Sequence, residues 1–346
     1  MTSLPISTFP YGISPTQVRD GPHYFLNKYQ NVTKSSPSIY DVFAVEIVRS
    51  DSKIKNFHDR IEIPAELTKD TIDTYGLPPV LILNWMLPAY NPTNPLWGTA
   101  EEDGESYSLV FLCRLSEQAK KDLSAARAAG VDLRELSKHQ GVFPDSDSDE
   151  EEDDGMIANT IGAVSSLFYW SGESEEKQAA DAEKLRERMA HYAKRDRGCL
   201  ARAVNPTGLH PAYVLFRRFI ESPDDGSFKE RLKAITRIEN IDDCDFNMMI
   251  KPIAKKYNGL PFQIRDCGWF KLTPSVYNVT IDVHLFSYLS KLGLAACRDI
   301  LPSLTFDVCI LIQGELEDEL PERMLLAARV NHMELVDALD VTHQLD

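Results

Sequence analysis

The chain has 346 residues, 43% of them hydrophobic, so it is long enough to bury a sizeable core as one large domain or two small ones. Its net charge of -16 would repel a polyanion over most of the surface, so we expect no nucleic-acid partner. Six scattered cysteines without CxxC spacing favour a reducing compartment, and the lack of a signal peptide or a run of about 18 apolar residues predicts a cytoplasmic protein that meets membranes only peripherally.

The N-terminal third predicts an irregular arm followed by strands. Residues 1–40 are rich in Pro, Ser and Asn, with VRDGPHY (18–24) as the one ordered point. Apolar runs predict three strands, at residues 43–48, 79–86 and 107–115. A loop rich in Pro, Asn and Gly joins the last two, which predicts that they pair antiparallel.

The middle of the chain, residues 116–209, has the composition of an insertion. A helix is predicted first, with Ser116 as its N-cap and Gly130 as its stop. Residues 145–154 then carry eight carboxylates in ten positions, and we expect a disordered acidic loop over 144–156 because such a run repels itself. Helical spacing of apolar residues returns at 174–194.

The last third predicts mainly strands, at residues 232–238, 262–265, 279–283 and 306–312, with helices at 246–256 and 286–300. Residues 211–220 suit either an apolar helix or a short strand. For residues 324–330 we favour a strand that pairs back on 306–312. Without regular βαβ alternation the class is α+β, a largely antiparallel sheet packed with helices, and we expect the N-terminal strands to complete one sheet with these.

Known catalytic signatures are absent from the sequence. It has no Walker A loop, GxGxxG, GxSxG or HExxH motif, so we expect neither an enzyme of a standard class nor a cofactor or metal. Asp282 and His284 alternate on a predicted strand and would share one face, where the carboxylate could orient the imidazole. A structural hydrogen-bonded pair and a catalytic site both fit this spacing.

The acidic run suits regulation as well as simple solvation. Ser146 and Ser148 each have an acidic residue three positions later, Asp149 and Glu151, which is the pattern of acidophilic kinase sites. Phosphate would add negative charge and could compete for a basic face of the same protein. Alternatively, the run could serve as a docking peptide for a protein partner.

Basic residues gather near the C-terminus, interleaved with Tyr257, Trp269 and Phe270: Lys229, Arg231, Lys233, Arg237, Lys251, Lys255, Lys256, Arg265 and Lys271. Cations beside exposed aromatic rings suit a surface that meets anionic lipid headgroups. Nearby aspartates dilute the charge, so an ordinary solvated face is the other interpretation.

Several short motifs carry a family resemblance: ITRI (235–238), YNGLP (257–261), Gly268, IDVHLFSYL (281–289), IQG (312–314) and ELPE (319–322). Together they resemble the C-terminal domain of plant Enhanced Disease Resistance 2 proteins, a domain of unknown function. VRDGPHY and FAVEIVRSDSKI (43–54) resemble its N-terminal elements. The resemblance covers about two thirds of the chain in two blocks, without residues 115–209, and implies a single domain over 1–346 with an insertion at 116–209.

In plant relatives this domain often follows phosphoinositide-binding and lipid-transfer domains. The resemblance therefore implies a non-enzymatic module, peripheral on endomembranes, whose partner is an anionic lipid surface. Its expected headgroup-binding residues are Arg19, Tyr24, Arg237, Lys251, Lys255, Lys256 and Trp269. A protein-interaction scaffold using the acidic loop is one alternative, and an uncharacterised enzyme centred on Asp282 and His284 is another.

Overall fold

The computed structural model describes residues 6–8, 17–20, 32–91, 104–139, 208–224, 227–246, 248, 251–264, 267–286, 288–298, 300–315 and 317–341. Within these ranges the strands are β1 (Ile6–Thr8), β2 (Gln17–Arg19), β3 (Val32–Lys34), β4 (Tyr40–Ser50), β5 (Val80–Pro88), β6 (Ser106–Leu115), β7 (Leu232–Ile238), β8 (Pro261–Gln263), β9 (Gly268–Leu272), β10 (Val276–Asp282), β11 (Thr305–Ile312), β12 (Met324–Asn331) and β13 (Leu339–Asp340). The α-helices are α1 (Ala65–Thr68), α2 (Ile72–Tyr75), α3 (Glu117–Ala128), α4 (Leu133–His139), α5 (Pro211–Glu221), α6 (Lys251–Tyr257) and α7 (Tyr288–Arg298). The acidic loop with Ser146 and Ser148, the helix expected at 174–194, and Tyr24 lie outside the described residues.

The strands form two large sheets and a two-stranded ribbon. The six-stranded sheet has the order β13-β4-β6-β5-β10-β9, the five-stranded sheet has the order β1-β12-β11-β7-β8, and β2 pairs with β3. Only the β5–β10 and β4–β13 pairs are parallel among the described strands. The predicted class, α+β with largely antiparallel pairing, is therefore confirmed.

Our expectation of a single sheet is wrong. β10, from the C-terminal third, pairs in parallel with β5, and β1 pairs with β12. Each large sheet therefore combines both ends of the chain. Period-2 patterning tells which face of a strand is buried but not which strand lies beside it, so the sequence pattern could not divide the strands between two sheets.

Residues 211–220, whose sequence suited either a helix or a strand, form the core helix α5. Pro211 occupies its first turn, and the Nδ1 atom of His210 accepts a hydrogen bond from the backbone N–H of Ala212 at 3.2 Å. Phe216 is fully buried, with its ring centroid 5.9 Å from that of Tyr40 and 6.0 Å from that of Tyr277. Burial of each such side chain contributes about 1.5–3 kcal/mol, so tertiary packing decides for the helix.

Residues 51–63, which we call the strap, cover the outer face of the six-stranded sheet. Asn84 Nδ2 donates to the carbonyl of Ile54 at 3.0 Å, and Thr280 Oγ1 donates to the carbonyl of Lys55 at 2.8 Å. Asn278 Oδ1 accepts from the N–H of Phe57 at 3.1 Å. Buried side chains of the sheet thus bind the strap's backbone groups, which would otherwise be costly to bury.

Most other predicted elements are confirmed, with shifted ends. Ser116 caps α3 by accepting from the N–H of Ala119 at 3.2 Å, and Gly130 has a positive φ of 82° after the helix. Residues 324–330 fall in β12, which pairs antiparallel with β11. α6 and α7 are shorter than predicted, and β9 was not predicted. No helix in the described part of the chain is both long and apolar enough to span a bilayer.

Candidate functional site

Arg19, one of the expected headgroup-binding residues, belongs to a buried ion-pair cluster. Its Nη2 lies 2.6 Å from Oε1 of Glu322, and the same oxygen accepts from Nζ of Lys233 at 2.8 Å and from the N–H of Gly314 at 3.2 Å. Burial alone would raise the pKa of Glu322, but the charges of Arg19 and Lys233 outweigh it and lower that pKa to about 2. The cluster fastens β2 to the turn between β11 and β12.

Arg237 is held in a second cluster, on neighbouring strands of the five-stranded sheet. Asp307 on β11 lies in register with Arg237 on β7 and with Arg329 on β12. The distance from Arg237 Nη2 to Asp307 Oδ2 is 3.3 Å, and that from Arg329 Nε to Asp307 Oδ1 is 2.6 Å. Arg237 also contacts Glu239. Like Arg19, it therefore has carboxylate partners within the fold.

Lys229 and Lys233, from the same basic stretch of sequence, are buried at 4% and 7% exposure. The Nζ of Lys229 lies 4.7 Å from the ring centroid of Phe219 and 4.8 Å from that of Phe270, and it donates to the hydroxyl of Tyr277 at 3.0 Å. Burial lowers the pKa of Lys229 to about 8. The basic residues that the structure describes between 229 and 271 thus divide into interior and surface groups.

The lysines of α6 form part of the surface group. Lys255 contacts Asp242, and Nζ of Lys256 lies 5.4 Å from the ring centroid of Tyr257. Lys251 donates to the backbone carbonyls of residues 242 and 244 at 3.0 and 3.1 Å. Such contacts on the surface are weak, so water or an anionic ligand could replace them at little cost.

A turn at Asn258 and Gly259 holds α6 against β7. The side chain of Asn258 accepts from the N–H of Ile238 at 2.6 Å and donates to the carbonyl of the same residue at 2.8 Å. Gly259 has a φ of 75°, and a Cβ at this position would lie 3.3 Å from Cδ of Arg237. Both the positive φ and the close approach favour glycine here.

Trp269 lies on β9, one of the two edge strands of the six-stranded sheet, and is 39% exposed. The Nζ of Lys55, in the strap, lies 3.8 Å from the centroid of its ring. Lys271 lies on the same face of β9 and pairs with Asp59 of the strap at 3.0 Å. Lys55 was not among the residues singled out from the sequence, because only the strap brings it to Trp269.

Exposed apolar side chains concentrate in the same part of the chain. Five of the eight large apolar residues that are exposed in the described ranges lie between positions 248 and 272: Met248, Ile253, Leu260, Trp269 and Leu272. This stretch contains five Lys and Arg residues and one Asp, a net charge of +4 in a chain of net charge -16. It includes β8, an edge strand of the five-stranded sheet, and β9, an edge strand of the six-stranded sheet. We call residues 248–272 the basic edge segment.

Asp282 and His284 meet, but not by strand alternation as we expected. Asp282 ends β10, and His284 lies in the single 3₁₀ turn that follows, so the aspartate caps that turn. Asp282 Oδ1 accepts from the backbone N–H of His284 at 3.0 Å and lies 2.8 Å from Nδ1 of its ring. Nζ of Lys53 lies 3.2 Å from the other oxygen. Burial would raise the pKa of Asp282, but the contacts with His284 and Lys53 lower it overall.

Ser106 extends this pair into a Ser-His-Asp series, since its Oγ lies 3.2 Å from Nε2 of His284. The order resembles that of acyl-transfer enzymes. However, Ser106 is fully buried, lies in a regular ladder between β4 and β5, and also donates to the carbonyl of Gly104 at 3.1 Å. A nucleophile must reach its substrate, so this geometry favours a structural contact between β6 and the turn that follows β10.

A small cleft lies beside this polar cluster, between the ends of β5 and β6 and the helix α7. Tyr90, whose ring centroid lies 5.9 Å from that of His284, forms part of its wall, together with Lys291 and Arg298 of α7. Most other lining residues are apolar. No group of three or more His, Cys, Asp or Glu side chains suited to a metal ion occurs in the described ranges.

The family model described as Protein ENHANCED DISEASE RESISTANCE 2, C-terminal matches residues 12–334. The chain belongs to this family. The match includes residues 115–209, so it is longer than the two blocks recognised from short motifs. No curated protein and no solved structure matches the chain.

In this member of the Enhanced Disease Resistance 2 C-terminal family, several motif residues build the fold. Glu319 and Glu322 of ELPE are buried carboxylates, and Glu319 Oε2 accepts from Nη1 of Arg231 at 3.0 Å. Asp282 of IDVH caps a turn, and Gly259 of YNGLP shapes another. These contacts give the motifs a structural role, and the family's description names no activity.

Proposed function

We propose that this protein is a non-enzymatic module that binds anionic lipid surfaces peripherally through the basic edge segment. The observation that carries the proposal is the concentration of five of eight exposed large apolar residues in a stretch of net charge +4. Apolar patches rimmed by cations suit a membrane interface, because the apolar groups enter the headgroup region while the cations contact phosphates. Arg19 and Arg237 are not part of this surface.

Two physical contributions would act together. Each Lys or Arg near an anionic surface contributes about 1 kcal/mol, and Trp269 can place its ring at the headgroup level. The rest of the chain carries a large negative charge, so other faces are repelled and the edge is favoured as the contact. The ion pairs of Lys255 and Lys271 involve side chains that are 47% and 41% exposed, and lipid phosphate can compete with them.

Vesicle flotation tests the surface. Native protein is expected to float with vesicles of phosphatidylcholine and phosphatidylserine, but not with phosphatidylcholine alone. The double variant Lys255→Gln, Lys256→Gln should bind about 30-fold more weakly, from the loss of two cations near the surface. Trp269→Ala should weaken binding further by removing the interfacial ring.

The matched control is Lys120→Gln, Lys121→Gln, an adjacent lysine pair on α3. It should float like the native protein if the edge, and not overall charge, determines binding. Absence of flotation with every anionic composition, or an equal loss of vesicle binding in the control, would contradict the proposal.

The same proposal includes a cytoplasmic location. Cys113, Cys244, Cys267, Cys297 and Cys309 are all free thiols. This suits a reducing, cytoplasmic environment, with the protein held on the cytosolic face of endomembranes. Fractionation of cells should place it in the membrane pellet at low salt and release it at high salt, since surface electrostatics are screened.

A further inference from the structure

Lys291 of α7 is a buried cation without a carboxylate partner among the residues that the structure describes. The described ranges contain five buried Lys and Arg residues: Arg217, Lys229, Lys233, Lys291 and Arg323. The other four each have a carboxylate oxygen within ion-pair distance. Lys291 has none in the described part of the chain, and its Nζ donates to one backbone carbonyl, that of His284, at 3.2 Å.

An ammonium group has three donors, so this contact leaves two without a partner in the described part of the chain. Burying an isolated charge costs several kcal/mol unless it is paired, which makes Lys291 costly to keep on structural grounds alone. A methionine or leucine at position 291 would make the same apolar contacts without a charge. An anion bound beside Nζ would lower this cost.

Arg298 lies seven residues later on the same helix and lines the same cleft. Its guanidinium donates to the carbonyl of Ala89 at 2.6 Å and to Oδ1 of Asn91 at 2.7 Å, both of which are uncharged. These bonds hold the group in place without neutralising it. The cleft therefore has two cations on one wall, and neither is paired with a carboxylate among the described residues.

The remaining lining of the cleft is mainly apolar, from Leu87 and Pro88 of β5 and from Leu294, Ala295 and Leu301. A free inorganic anion would make no apolar contact with these side chains, and a neutral apolar molecule would leave the two cations without a counter-charge. We propose that the cleft binds the carboxylate or phosphate group of an anionic amphiphile. Lys291 and Arg298 hold the anionic group, and the first methylene groups lie against the leucines. The site is separate from the basic edge segment.

Isothermal titration with single-chain amphiphiles tests this. Dodecanoate and dodecyl phosphate, below their micellar concentrations, are the two anionic probes, while dodecanol and dodecyltrimethylammonium have the same chain with a neutral or positive head. The native protein is expected to bind at least one anionic probe at least about tenfold more tightly than the other two, since a charge-assisted contact favours the anion. Whichever anion binds more tightly identifies the headgroup chemistry.

Lys291→Met is the decisive variant. It keeps an unbranched apolar side chain and removes an unpaired charge, so it is expected to fold with a melting temperature at or above that of the native protein. It should lose the preference for the anionic probe, and that probe should raise the melting temperature of the native protein only. Equal binding of dodecanol and the anions to the native protein, or an unchanged preference in the variant, would overturn the proposal.

The two proposed sites can be separated. Lys256→Gln should reduce vesicle flotation and leave probe binding unchanged, whereas Lys291→Met should do the reverse. Loss of both properties in either variant would contradict separate sites.

Discussion

At the scale of single residues, buried carboxylates determine which Lys and Arg side chains lie inside the fold. Glu322 gathers Arg19 and Lys233, and Asp307 gathers Arg237 and Arg329. The pKa of Lys233 falls to about 8, first because the side chain is buried and also because the charge of Arg19 lies nearby, and together these outweigh the opposite effect of Glu322. A basic side chain that the sequence predicts to lie on the surface is thus an interior group when the fold places a carboxylate opposite it.

Glu322 makes stability sensitive to acid. Its pKa is about 2 in the folded protein, below the ordinary value of 4.5, so its contribution is fully present above pH 4.5 and is lost as the pH falls towards 2. This loss amounts to about 3 kcal/mol. Glu322→Gln should cost a similar amount at pH 7, because it leaves Arg19 and Lys233 unpaired, and should flatten the profile between pH 4.5 and 2.

Denaturant unfolding at a series of pH values measures both effects. Glu135→Gln is the control, since Glu135 forms an exposed pair with Lys138 and should change stability by less than about 0.5 kcal/mol. If Glu322→Gln retains the native acid profile, this ion pair does not cause it.

At the scale of elements, the strap links the core to the proposed lipid-facing edge. It is bound by polar side chains of β5 and β10, and in turn it carries Lys55 to Trp269 and Asp59 to Lys271. The strap has little regular structure, so its position rests on these hydrogen bonds and on Ile54 and Phe57, which pack in a cluster with Val80 of β5.

Thr280→Val should loosen the strap. The side chain keeps its shape, but the hydrogen bond to the carbonyl of Lys55 is lost in a fully buried place, at a cost of about 1–3 kcal/mol. Proteolysis within residues 51–63 should become faster. Thr68→Val is the control, since its hydroxyl bonds at 3.4 Å to the carbonyl of Ala65 in its own exposed turn. Equal effects of the two changes would argue against a specific role for Thr280.

At the scale of the whole molecule, charge distribution matters more than any single contact. The net charge is -16, and eight of the carboxylates lie at residues 145–154, outside the described ranges. Such a charge lowers the attraction of the entire protein to an anionic surface, whereas the basic edge segment raises it locally.

Deleting residues 145–154 changes the net charge from -16 to -8, because the segment holds eight carboxylates. Flotation with anionic vesicles should increase at low salt, and the difference from the native protein should shrink at high salt, where the Debye length falls to a few ångströms. Replacing the segment with Ser and Gly of equal length separates charge from chain length. If this replacement leaves flotation unchanged, the segment does not affect membrane association.

The sequence by itself determined the strand positions of β4, β5, β6, β7, β11 and β12, and the capped start and glycine stop of α3. These depend on local periodicity and local backbone preference. It also pointed to Trp269, Lys255 and Lys256, which lie close together along the chain. β9 was not predicted from the sequence because it is short and begins with glycine.

Only the tertiary structure decided the division into two sheets, the partners of Arg19 and Arg237, and the turn that joins Asp282 to His284. The same is true of the burial of Lys291 away from the carboxylates of the described ranges. Arg19 and Glu322 are 303 residues apart in the chain, and Lys55 and Trp269 are also far apart. Whether a cation is paired depends on which carboxylates the folded chain brings within a few ångströms of it. Sequence spacing does not encode that distance beyond a single helix or strand.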